Sequence, residues 1–191
     1  MPAARGGRRR PILGGMTTVD ERHSLAFAIR TARPAEFAEV GEVTYRGFGH
    51  GEPGAPQPDA ARLRLLHDAS ARADAGELLV AATPDRRIVG TASLLRADSP
   101  LARQSRDGEA ELRLLAVLPE VRRHGVGDAL MRVAIARSRE WGAPALVLDT
   151  GPWNERSQRL YRRLGFVRMP ERETIPSSRG GMLAVYRLPL G

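Results

Sequence analysis

Residues 110–130 read AELRLLAVLPEVRRHGVGDAL. Ala110 to Val117 is an apolar run with the length of a strand. Pro119-Glu120-Val121-Arg122-Arg123-His124 is a turn, and a helix follows from about Gly125 to Trp141. Val126, Ala129, Leu130, Val133 and Ala134 give that helix an apolar stripe at helical spacing. Arg122-x-x-Gly125-x-Gly127 therefore lies where a strand hands over to a helix. Glycine there permits positive φ and close approach of a ligand to the backbone. Amides at a helix N-terminus point outward, and the helix dipole favours an anion. Arg122 and Arg123 add charge-assisted donors suited to phosphate, so the corner is a candidate pyrophosphate cradle. Taken alone, the same fragment also fits a plain helix entry with solvated arginines. It lacks the Gly-Lys-Ser/Thr of a Walker loop and the third glycine of a dinucleotide fingerprint.

Working outward, Ser24 to Thr31 alternates as a strand, and Thr31-Ala32-Arg33-Pro34 opens a helix with Phe37, Val40 and Thr44 toward the core. Gly47 to Pro58 is a Gly- and Pro-rich loop, and Asp59 to Ala75 reads as one helix. Glu77 to Thr83 and Ile88 to Leu95 form a hairpin around Pro84-Asp85-Arg86. Arg96 to Gly108 is polar and reads as an exposed loop. Beyond the central helix, Gly142 and Pro144 are stop signals, Ala145 to Asp149 is a short strand, and Asn154 caps a helix to about Leu164. Gly165-Phe166-Val167 and Met182 to Leu188 are the last strands, with 170–181 as a polar hairpin loop. The order β-α-α-β-β-β-α-β-α-β-β predicts a mixed α/β sheet in a single domain.

The 191 residues carry a net charge of +8 and no cysteine. Without cysteine there is no disulfide, thiolate metal site or cysteine nucleophile, which fits a reducing, cytoplasmic setting. No apolar run reaches the length of a membrane span. The charge looks like a nucleic-acid signal, but every basic residue is Arg and none is Lys, which reads as the codon bias of a high-GC bacterial genome. Arg5, Arg8, Arg9 and Arg10 carry four of the eight excess charges, so composition argues against a nucleic-acid partner. Residues 1–15 are Arg, Gly and Pro with little else, and residues 1–23 are expected to be a disordered basic tail before a domain at 24–191. Met16 is an alternative start, to be tested by searching the native protein for peptides upstream of it.

A second segment, Asn154-x-x-Ser157-x-x-Leu160-Tyr161-x-x-Leu164-Gly165-Phe166, follows about thirty residues downstream. Together with Arg122-x-x-Gly125-x-Gly127 it resembles the GNAT superfamily of acetyl-CoA-dependent N-acetyltransferases, closely over about Glu109 to Arg168 and by element order elsewhere. The resemblance implies a mostly antiparallel sheet of six to seven strands with about four flanking helices, splayed between strands four and five. Acetyl-CoA would lie in that splay. Leu115, Ala116 and Val117 would bond its pantetheine arm. The amides of Arg122, Arg123, His124, Gly125, Val126, Gly127 and Asp128 would hold its pyrophosphate. Asn154 and Ser157 would face the arm, and Asn154 fits a plain N-cap equally well.

The resemblance also implies Tyr161 as the acid that protonates the leaving thiolate; the alternative is a packed tyrosine bonded to a carbonyl. Glu111 matches a position where family members carry a glutamate base. Strand alternation puts Glu111 on the face of Arg113, Leu115 and Val117, so an ion pair with Arg113 competes with that role. Transfer is expected to be direct, with the oxyanion met by a fourth-strand amide near Ala116. Glu39, Glu42, Tyr45 and Phe48 would shape an acidic, aromatic pocket for a cationic amine. His50, His67 and His124 show no metal spacing and read as surface residues, and Trp153 as packing. The expected activity is N-acetylation of a small-molecule primary amine. Acetylation of a protein N-terminus or lysine, and a non-catalytic acyl-CoA sensor, are the alternatives. Relatives often dimerise, which makes a homodimer an expectation as well.

Overall fold

The computed structural model of the chain describes residues 25–55 and 57–191. The basic tail, the first residue of the expected opening strand and the Met16 start lie outside the described residues. Seven strands form one sheet in the order β1-β2-β3-β4-β5-β7-β6. They are β1 (Ala28–Thr31), β2 (Glu77–Ala82), β3 (Ile88–Leu95), β4 (Ala110–Val117), β5 (Ala145–Thr150), β6 (Val167–Arg168) and β7 (Ala184–Pro189). Every neighbouring pair is antiparallel except β4 with β5. A parallel pair needs a crossover, and α4 (Val126–Glu140) supplies it.

α1 (Phe37–Gly47) covers one face of the sheet, where a Cβ on Gly47 would meet that of Ala116 at 2.8 Å. α4 covers the other, where Gly90 leaves room for Val126 and Leu130. Of the expected α1 core positions, Val40 and Thr44 are buried, Phe37 is half-buried, and Val43 joins them. The single helix expected over 59–75 is two, α2 (Ala60–His67) and α3 (Ala69–Asp74). Asp59 caps the first through the Arg62 N–H (2.7 Å), and Asp68 caps the second through the Ala71 N–H (2.9 Å). An aspartate whose carboxylate takes a nearby amide competes with helix continuation, and that ends α2 at this point. α5 (Glu155–Arg163) runs along the end of β5 and is tied to α4 by Arg163 bonded to Asp128 at 2.8 Å.

β4 departs from simple alternation. Its pairing with β3 shifts by one residue, from Ser93 opposite Arg113 to Thr91 opposite Ala116, and Leu114 takes φ +54°. This is a β-bulge with a left-handed leucine, a conformation that costs ~1–2 kcal/mol in an L-residue and is tolerated where surrounding structure imposes it. The bulge reverses the side-chain order. Glu111 and Arg113 share the α1 face with Ala116, while Val117 lies on the α4 face near Gly127. The expected common face for Glu111, Arg113, Leu115 and Val117 is corrected accordingly.

The Arg96–Gly108 segment is not simply exposed, because Gln104 is buried and the chain there is fastened to the sheet. The 170–181 segment opens with a short 3-10 turn, Pro170–Arg172, in which Arg172 is buried against Glu109 (2.9 Å).

Candidate active site

β4 and β5 pair at only three positions, the last being Leu112 with Leu148. Beyond it β5 continues on β7 to Thr150, β4 continues on β3 to Val117, and a gap opens between them. Leu118 donates its N–H to the Val89 carbonyl at 3.0 Å. Strand alternation then turns the Ala116 backbone toward β3 and the Leu115 and Val117 backbones toward the gap. The Arg122 guanidinium reaching the Val117 carbonyl from outside the sheet agrees with this (3.3 Å). Of the three β4 residues named from the sequence, Leu115 and Val117 therefore present peptide groups to the gap. The Ala116 amide belongs to the β3 side.

The gap runs out at the β4–α4 corner. The first α4 bond is from the Ala129 N–H to the Gly125 carbonyl (2.9 Å), and among the described residues the six amides from Arg123 to Asp128 have no acceptor. Arg123 (φ +74°) and Gly125 (φ +80°) are both left-handed, which fans these amides outward. A Cβ on Gly125 would meet nothing within 4 Å, so φ is what calls for glycine there. Arg122 is not a free phosphate ligand through its side chain, since its Nη2 donates to the Gly47 carbonyl (2.9 Å) and staples the corner to α1. Arg123 is exposed. Arg156, which the sequence reading missed, completes the basic rim. Partial burial and the nearby Arg122, Arg123 and Arg159 push its pKa down, as expected for cations gathered without an anion.

At the other side of the gap, Asn154 accepts the Ser157 N–H (3.3 Å) and donates Nδ2 to the Thr150 hydroxyl (3.2 Å). It is an N-cap with both ends of its amide engaged. Tyr161 is buried, with ring centroids 5.6 Å from Tyr186 and 6.0 Å from Phe166. Its hydroxyl interacts with the Ser157 and Thr150 side chains, and burial above all pushes its pKa up to about 12. Gln158, also missed, fixes α5 in place by accepting from the Tyr186 hydroxyl (3.0 Å) and donating to the Pro152 carbonyl (2.8 Å).

Glu111 is fully buried. Its Oε2 accepts the amides of Arg103 (2.7 Å), Gln104 (2.7 Å) and Ser105 (3.0 Å). Its Oε1 is 3.8 Å from Arg113 Nε and has no hydrogen bond. Arg113 in turn bonds the Leu101 carbonyl. Asp149, the first β5 residue past the last β4 pair, receives Arg103 through Nε (2.8 Å) and Nη2 (2.6 Å) and Gln104 through Nε2 (3.2 Å). The 101–105 chain thus walls the mouth of the gap.

Of the residues expected to shape the acceptor pocket, Tyr45 stacks between His50 (5.3 Å) and His67 (5.0 Å) and donates to Gln57 (3.1 Å). Both histidines pack on one tyrosine; His67 is exposed, as expected of a surface residue, and His50 is half-buried. His124 is exposed as expected, and the described residues hold no metal-binding cluster. Phe48 is more than one-third exposed, with the Arg62 guanidinium 4.8 Å above its ring. Glu42 is exposed, and Glu39 accepts the Ile88 N–H (2.8 Å) at the far end of α1. The expected acidic lining is therefore not assembled around Phe48. Trp153 is half exposed beneath Arg179 (4.8 Å). A cavity of about 340 Å³ lined by Arg96, Asp98, Glu109 and Trp141 lies at the other end of β4, away from the gap.

No helix among the described residues is long and apolar enough to cross a membrane. The sequence pattern of the acetyltransferase (GNAT) family matches residues 42–166. An uncharacterized N-acetyltransferase of Mycobacterium tuberculosis is 32% identical over 134 residues, which is 67% of this chain and 81% of the relative. A Corynebacterium glutamicum structure of a histone acetyltransferase HPA2 and related acetyltransferase superposes with a TM-score of 0.64 at 27% identity, covering 85% of this chain and 96% of that one. A Brucella melitensis GNAT acetyltransferase solved in complex with acetyl-CoA gives a TM-score of 0.56 at 25% identity, covering 87% and 90%. With the splayed sheet, the unbonded amides at its corner and these relatives, the chain belongs to the GNAT family of acetyltransferases, enzymes of acetyl-CoA-dependent acyl transfer.

Proposed function

We propose that this chain binds acetyl-CoA between β4 and β5 and transfers its acetyl group directly to a primary amine of a small molecule. The observation that carries this reading is the end of β4–β5 pairing at Leu112 and Leu148, with six unbonded amides where the gap runs out. A pantetheine arm carries two amides and needs the free strand edge that Leu115 and Val117 offer. A diphosphate needs several N–H donors at a helix start, with arginines at the rim. Both requirements fit the residues present.

Bound there, acetyl-CoA supplies an activated acyl group whose thiolate needs one proton on leaving, while the attacking amine must shed one. Tyr161 is the donor in this reading. With its pKa near 12, its phenol stays protonated at any physiological pH. Against a thiol of pKa ~8.5 the transfer is uphill by ~5 kcal/mol if the thiolate is fully hydrated. The burial that raises the tyrosine raises a thiolate beside it too, and this narrows the difference. The proton acceptor is Glu111 through Oε1, the one oxygen of the Glu111–Asp149 pair not committed to a hydrogen bond. The cysteine-free chain has no thiol to carry the acetyl group between substrates, and this favours direct transfer.

Two measurements test this. Calorimetric titration of the full chain with coenzyme A is expected to show one saturable site. Release of thiol from acetyl-CoA is then followed over a panel of small amines and unblocked peptides. Absence of binding removes the site. Binding without turnover on any amine leaves a sensor, and turnover on peptides alone moves the acceptor class to protein.

A further inference from the structure

Resting on that reading, we infer that Arg62 is the docking cation for the acceptor, and that the amine taken by this site also carries a carboxylate. The mouth of the gap gathers three arginines, Arg62, Arg103 and Arg113, against two carboxylates, Glu111 and Asp149. Both carboxylates already hold other groups of the protein. Glu111 holds three backbone amides through Oε2, and Asp149 receives the fork of Arg103 and the Gln104 amide. Arg103 is thereby neutralised, and Arg113 bonds the Leu101 carbonyl beside Glu111.

Among the described residues Arg62 has no such hydrogen-bonded partner. The nearest acid on its own helix, Asp59, spends Oδ1 on the Arg62 backbone N–H (2.7 Å) as a helix cap. The Arg62 side chain makes no hydrogen bond among the described residues and rests over Phe48 at 4.8 Å. Burial, and next the charge of Arg103, disfavour its charged form. A planar cation held against an aromatic face, partly desolvated and with no carboxylate hydrogen-bonded to it among the described residues, is arranged to receive a carboxylate in bidentate fashion. Phe48, beneath the Arg62 guanidinium, follows Gly47, which packs on Ala116 of β4 and whose carbonyl is held by Arg122 (2.9 Å), so Arg62 is held beside the β4 edge of the gap. An acceptor gripped by its carboxylate at Arg62 extends its amine inward, toward the acetyl position beside Tyr161. The aromatic ring at Phe48, expected to attract a cationic amine, is already faced by a cation of the protein.

The test uses the full chain loaded with coenzyme A and a pair of product-like probes, N-acetylphenylalanine and N-acetylphenylalaninamide, with binding read by ligand-observed NMR. The acid is expected to bind at least ~10-fold more tightly than the amide. Arg62→Gln is expected to erase that preference and leave amide binding within twofold, and Arg62→Lys to retain only part of it. Equal binding of acid and amide, or equal loss of both in Arg62→Gln with a native circular dichroism spectrum, overturns the inference, as does binding of neither probe. In turnover assays, free amino acids are expected to exceed their amides and decarboxylated counterparts in kcat/KM. Probe discrimination that survives while no amine turns over refutes the enzymatic reading and leaves the docking site standing.

Discussion

Arg103 forks onto Asp149, Nε at 2.8 Å and Nη2 at 2.6 Å, across the point where β5 parts from β4. The amide of the same residue is bonded to Glu111 on β4 at 2.7 Å. One residue of a loop therefore holds both diverging strands, one through its backbone and one through its side chain. The separation of the strands is fixed by this clamp as much as by the sheet.

Removing the β4 anchor is expected to be costly. Glu111→Ala leaves three amides without an acceptor, that of Gln104 buried and those of Arg103 and Ser105 partly so, and hydrogen bonds from N–H groups to a buried carboxylate are worth ~1.5–3 kcal/mol each before relaxation. A loss of ~3 kcal/mol in urea-unfolding stability is the expected result. Glu111→Gln keeps one acceptor oxygen for the loop and separates anchoring from proton transfer. If Oε1 takes the proton from the amine, Glu111→Gln turns over ordinary amines ~100-fold more slowly and recovers with amines of low pKa. A rate loss that ignores amine pKa assigns Glu111 to the clamp alone.

Tyr161→Phe is expected to lower kcat by ~100-fold and to change the coenzyme A dissociation constant by less than threefold. An equal loss in both parameters makes Tyr161 a packing residue. The buried phenol also predicts an alkaline effect. Its pKa, about 12 in the folded chain against ~10 unfolded, means that the native state holds the proton more tightly. That stability is fully present below pH ~10 and is lost as pH rises toward 12. Measured against Tyr161→Phe, the wild-type chain is expected to lose ~2 kcal/mol between pH 9 and 12.

At the corner, charge and strain can be separated. Gly125 has φ +80° and open space around its missing Cβ. Gly125→Ala is expected to cost ~1–2 kcal/mol of stability from the left-handed backbone alone. Gly125→Glu carries the same strain and adds a carboxylate beside the phosphates. It is expected to weaken coenzyme A binding a further ~10- to 100-fold over Gly125→Ala. Equal affinities in the two variants, by calorimetry, mean that no diphosphate sits at these amides.

The order of elements was legible because local patterns and tertiary use agree. The stop at Gly142 and the Asn154 cap are local and stand where the sequence puts them, while the buried face of α4 takes Val126, Leu130 and Ala134 from the expected stripe and adds Met131 and Ile135, with Ala129 and Val133 half-buried. The Leu114 bulge was not legible, since leucine carries no mark of a left-handed conformation, and one inserted residue puts Val117 on the opposite face from Glu111. The loop after β3 looked exposed because its amides find their acceptors only in the folded sheet, on a carboxylate buried in β4. Arg122 looked like a phosphate ligand because its carbonyl partner, on Gly47, is 75 residues away. Residues whose role rests on charge balance, such as Arg62, needed the neighbouring acids placed and their bonds counted.

Arg72 gives a prediction opposite in sign to that of Tyr161. It lies fully buried on α3, with Nη2 donating to the Thr44 hydroxyl at 3.0 Å and with Nε and Nη1 unbonded. Burial brings its pKa down to about 10. The unfolded chain then binds the proton more tightly, and stability rises with pH as the guanidinium sheds its proton above pH ~10. At neutral pH the charge is present in both states and its burial is a net cost. Arg72→Met keeps an unbranched apolar stem in the same space and removes the buried charge. Replacement of a poorly paired buried ion by an apolar side chain of similar shape is commonly neutral or stabilising by ~1–4 kcal/mol. Thermal unfolding at pH 7 is therefore expected to show Arg72→Met at or above the wild-type midpoint. A clear fall would mean that Nε and Nη1 are bonded to ordered water, making Arg72 a true anchor between α3 and α1.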